Sequence, residues 1–93
     1  MELRVITNGA VSADTGTLEC DSQVLGGILI TTNNTNQGVV IIKRDNASGK
    51  EVVKISTITT MWITAPFSLE GTTTLYYDVS GTGCEVHLYK WVQ

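Results

Sequence analysis

Threonine and the β-branched aliphatics dominate this 93-residue chain, with fourteen Thr, ten Val and eight Ile. That bias constrains the fold more than any other feature. Branched side chains lose χ1 freedom in a helix and suit a pleated, half-buried surface. No window sustains apolar residues at helical spacing behind a capping residue. The chain therefore reads as all β.

Turn signals divide it into short strands. ELRVIT is the first, ended by Asn8-Gly9, and GTLECD the second. QVLGGILITT is the third, with Val24, Ile28 and Ile30 on one face against Leu25 and Leu29 on the other, the pattern of a central strand. Gly26 and Gly27 in its middle point to a bulge or a close backbone approach. After the polar turn NNTNQG comes VVIIKR, then the hairpin loop DNASG and KEVVKIST. In that loop Asp45 and Asn46 are placed for side-chain-to-backbone bonds and Gly49 for positive φ. ITTMWIT is closed by Pro66, which cannot donate to a central ladder. TTTLYYDVS and CEVHLYKWV, joined by SGTG, complete the set. Residues 1–93 thus form one domain, a small β-sandwich or jelly-roll-like fold of about eight antiparallel strands. The loosely patterned NGAVSADTG leaves residues 1–20 open as a loosely attached N-terminal arm.

Composition excludes several functions. The net charge is −3 and the six Lys and Arg are scattered, so nucleic acid and a polybasic membrane contact are both disfavoured. The apolar runs are too short to span a bilayer, and MELRVIT lacks the layout of a signal peptide. Cys20 and Cys84 are expected as free buried thiols and not as a bridge. His87 with two distant cysteines does not make a zinc site. The DNASGKE run lacks calcium-loop ligand spacing. The sequons at Asn33 and Asn46 fall in expected turns. With one His, no nucleophile elbow and no phosphate-binding loop, the chain is read as a non-enzyme without cofactor or metal.

The last two strands carry the candidate site. Pairing them as a hairpin through SGTG puts Val79 opposite Cys84, Tyr77 opposite Val86 and Leu75 opposite Leu88, an apolar inner set. The outer set then joins Tyr76, His87, Tyr89 and Trp91 on one face, with Asp78 against Glu85. Such a face can be covered by the domain itself, bind another protein, or stack on sugar rings. Trp62 is a further interface candidate, or core. These five residues are the expected protein interface.

The run from Gly26 to Trp91, with LGGILIT, VVIIKRDNASGKEVVKI and YYDVSGTGCEVHLYKW, resembles small virion structural proteins of tailed bacteriophages. The resemblance implies a β-sandwich that decorates or cements a capsid, or serves in tails and fibres. It implies the major capsid protein as partner, self-association (often as trimers), and a place on the capsid surface after synthesis in the host cytoplasm. The alternative is a carbohydrate- or receptor-binding module on the tail or head.

Overall fold

The structure is a computed structural model describing residues 2–7, 9–19, 25–67 and 74–92, the side chains of residues 2, 65–67, 91 and 92 excepted. Nine strands run through the described residues: β1 (Glu2–Val5), β2 (Val11–Ser12), β3 (Thr15–Glu19), β4 (Leu25–Thr31), β5 (Gly38–Arg44), β6 (Glu51–Thr57), β7 (Met61–Phe67), β8 (Thr74–Ser80) and β9 (Glu85–Val92). All pairings are antiparallel. Sheet A has the order β1-β9-β4-β7, with β2 also on β9, and sheet B the order β3-β8-β5-β6. Because β4 occupies one side of β9, β1 and β2 share the other side as one interrupted strand. Counted so, there are eight strands in two four-stranded sheets. Every connection between them except the β5–β6 hairpin crosses from one sheet to the other. This is the arrangement of a jelly roll, and the all-β sandwich expected from the branched residues is present.

The expected arm is, where described, built into the sheets: β1 and β2 lie along β9, and β3 lies along β8. Between β1 and β2 the chain leaves the ladder. There the Thr7 hydroxyl replaces a backbone acceptor, taking the Leu88 N–H at 3.3 Å, while the Ile6 N–H donates to the Leu88 carbonyl at 2.8 Å. Thr7 is the buried polar side chain among the described residues, and it is satisfied.

The core lies between the sheets. Leu25, Ile28 and Ile30 of β4 and Val86 and Leu88 of β9 face Val40 and Ile42 of β5 and Leu75 and Val79 of β8, with Cys84 at one end. Fully burying such a side chain contributes about 1.5–3 kcal/mol. The Cys84 thiol is free and buried. It rests on Gly38, where an added Cβ would meet the sulfur at 2.5 Å. Burial, then the nearby Glu85 carboxylate, pushes this thiol's pKa above its ordinary value. Cys20 lies outside the described residues.

Three local expectations are corrected. First, β8 and β9 do not pair. The segment from Gly81 (φ +110°) to Gly83 (φ +77°) carries the chain from sheet B to sheet A, and β8 pairs with β3 and β5 instead. The inner set Leu75, Val79, Cys84, Val86 and Leu88 is nevertheless buried, with Tyr77 half-buried against it, because alternation fixes a strand's faces whichever strand it pairs with. Asp78 stands between Thr15 and Ile41, so its opposition to Glu85 does not arise. Second, Pro66 does not end its strand. β7 continues to Phe67 at the edge of sheet A, beside the register shift at Gly26, and both edges and bulges accept proline. That shift is the expected bulge, and it turns Leu25 onto the core face with Ile28 and Ile30 rather than away from them. Third, positive φ in the β5–β6 loop falls on Asp45 (+66°) and not Gly49. Gly49 is required because a Cβ there would strike the Arg44 carbonyl. The Asn46 side chain accepts the Ser48 N–H as expected, at 2.9 Å.

Candidate functional site

The outer face of sheet A can be built from alternation. In β9, Val86 and Leu88 point inward, so Glu85, His87 and Tyr89 point outward. In β4, Ile28 and Ile30 point inward and Gly27, Leu29 and Thr31 outward. In β7, the partly buried Ile63 packs on the core and Trp62 and Thr64 face out. Register then lays out the surface in rows. One row runs Val5, Tyr89, Gly27, Thr64. The next runs His87, Leu29, Trp62.

Trp62 does not stay in its row. β7 and β9 flank β4 and so stand roughly 9–10 Å apart. Even so, the Trp62 and Tyr89 rings meet edge to face, with centroids 5.0 Å apart and planes at 74°. The contact is possible because Gly27 leaves a gap between them. A Cβ on Gly27 would lie 2.7 Å from Trp62 Cη2 and 2.8 Å from Cζ2. The indole therefore spans the middle strand over a glycine floor. Edge-to-face pairs of this kind contribute about 0.5–1.5 kcal/mol beyond area burial. Trp62 is nonetheless 43% exposed, and Tyr89, His87 and Leu29 are half-buried around it.

The five expected site residues are thus divided. Trp62, Tyr89 and His87 share the outer face of sheet A. Tyr76 does not join them. Its neighbours Leu75 and Tyr77 face the core side of sheet B, so Tyr76 lies on the outer face of that sheet between Thr17 and Lys43. The two outer faces of a sandwich point in opposite directions. Trp91 lies opposite Leu3 in the β9–β1 ladder, and its side chain is outside the described residues. Gly27, Leu29 and Val5 belong to the surface and were not among the expected site residues. The Gly26-Gly27 pair was the available signal, since one of its two readings, a close approach, is what Gly27 provides.

Chemically, this surface offers two ring systems with polar tips, aliphatic flanks and an imidazole. Among the described residues no three His, Cys, Asp or Glu side chains stand close enough to hold a metal ion. Compared with family models, with curated proteins and with solved structures, the chain has no match.

Proposed function

We propose that this chain is a structural protein of a tailed-phage virion. It acts as a decoration or cement protein, binding across subunits of the major capsid protein through the outer face of sheet A. The Trp62–Tyr89 pair carries this reading. The core is complete without it, yet the Trp62 ring is held over a glycine floor and against the Tyr89 ring on the outside of the sandwich. Aromatic anchors are enriched at the centres of protein interfaces. Binding that spans a joint between shell subunits raises the free energy of opening the shell, by the same linkage that makes any ligand stabilise the state it binds. The resemblance of the Gly26–Trp91 run supplies the setting, and the acidic chain with few scattered cations is compatible with it.

The test is binding to shells that lack the protein. Truncating an anchor typically costs about 2 kcal/mol or more, or roughly 30-fold in Kd. Trp62→Ala with Tyr89→Ala should weaken shell binding by several hundred-fold or more, on the same arithmetic. Tyr76→Ala, on the opposite surface, should leave it unchanged. A folded double variant that binds like the wild type rejects the reading. Sugar binding by the isolated domain that is lost in the double variant, without any shell binding, replaces it with a carbohydrate-binding module.

A further inference from the structure

The edges of the two sheets are not alike. Open strand edges invite pairing with other chains, and proteins usually blunt them with charge. Here β1 carries Glu2 and Arg4, β3 carries Glu19, and β6 carries Glu51 and Lys54. β7 carries no charge, its one blunting residue being Pro66 towards its end, and the sequence has no charged residue from Ile55 to Leu69. Among the described residues β7 has no strand beyond β4. Three of the four exposed large apolar side chains among the described residues also lie here: Ile58 (51%) in the approach to β7, and Met61 (37%) and Trp62 (43%) within it, the fourth being Val5 (45%) on β1.

We propose that β7 pairs antiparallel with β7 of a second copy of this chain, across a twofold axis normal to sheet A. Three considerations select that occupant. An open edge takes an extended backbone, and β7 supplies one. Two copies of a −3 chain repel, and β7 is the edge where their strands meet without like charges opposite one another. The pairing is isologous and consumes both uncharged edges, so only charged edges remain and assembly closes at two instead of growing into a fibre. A twofold seam gives a dimer rather than the trimer that the resemblance implies. An axis normal to the sheet keeps both outer faces on one side. It therefore sets the Trp62–Tyr89 pairs of both copies on the same side of the dimer. The inference stands on the edge and not on the capsid reading: solution mass reports the seam, and shell binding reports the face.

Sedimentation equilibrium of the purified chain over a wide concentration range tests it. The expected result is a reversible monomer–dimer equilibrium built on the 10.0 kDa chain. Thr64 is exposed on the outer face of β7. With the axis at Thr64, the middle residue of β7, Thr64→Lys should weaken self-association by up to about fivefold, as should Thr64→Glu, because each places like charges opposite one another across the seam. Mixing the two variants should restore pairing, which a merely destabilised fold would not do. A wild-type chain that stays monomeric up to its solubility limit overturns the proposal. So does a trimer, a dimer indifferent to both substitutions, or a failure of the mixture to recover.

Discussion

Replacing Gly27 by alanine tests the aromatic surface without touching either aromatic residue. Gly27 has no positive φ, so its backbone accepts a side chain. The new Cβ would approach Trp62 Cη2 and Cζ2 to 2.7 and 2.8 Å, closer than real contacts allow, while the nearest backbone atom, the Ile63 carbonyl oxygen, is at a tolerable 3.4 Å. The indole must therefore move. It can do so cheaply, because it is the far end of an exposed side chain. Losing its edge contact with Tyr89 costs about 0.5–1.5 kcal/mol. Removing a glycine from a strand interior returns about 0.5–1 kcal/mol. The net change in folding stability should lie within about 1 kcal/mol of zero. Urea unfolding gives that number, and near-ultraviolet circular dichroism with tryptophan emission reports the displaced ring. Shell binding should fall along with the optical change. A loss of 3 kcal/mol or more, or an unaltered aromatic spectrum in the folded variant, would refute the account of Gly27 as the floor beneath Trp62 (about 3 kcal/mol being the scale of a rigid core clash).

Other parts of the structure give sharper stability effects. Thr7→Val removes the acceptor of the buried Leu88 N–H and should cost about 1–3 kcal/mol in chemical unfolding, with faster amide exchange at Leu88. Ala13 holds φ at +46° between β2 and β3, so Ala13→Gly should stabilise the fold by up to about 1 kcal/mol despite the added chain entropy. For Cys84 the folded pKa is raised, so its contribution is fully present below the ordinary thiol range, near 8.5, and is lost as pH rises towards the higher folded value. The alkaline decline in stability should therefore be shallower in Cys84→Ala than in the wild type, and equal slopes would count against a desolvated thiol.

The sequence made strand identity and inner faces legible because both depend on local alternation. Leu75 and Val79, like Val86 and Leu88, are buried as their spacing required, although the strands that carry them are in different sheets. Pairing was not legible for the same reason: alternation says which side chains share a face, not which strand lies beside it. Consecutive strands pair often enough to make a hairpin the natural expectation at Ser80–Cys84. Here the glycine turn packs against Gln37 and Gly38 at the start of β5 and passes to the other sheet. That single crossing removes Tyr76 from the site. Trp62 could not be assigned from its own strand, since what holds it against Tyr89, two strands away, is an absence of side chain at Gly27 on the strand between them. The bulge at Gly26 likewise inverted the side of Leu25, one residue of register being enough to exchange the faces.

Oxidative footprinting of the chain, free and bound to shells, tests the central claim most directly because it needs no substitution. The outer face of sheet A is proposed to be covered by capsid subunits, whereas that of sheet B is not. Oxidation of Trp62, 43% exposed in the free chain, should fall severalfold on binding, with Tyr89 protected in parallel and Tyr76 unchanged. Undiminished oxidation of Trp62 on shells that protect Tyr76 would contradict the account and move the docking surface to sheet B.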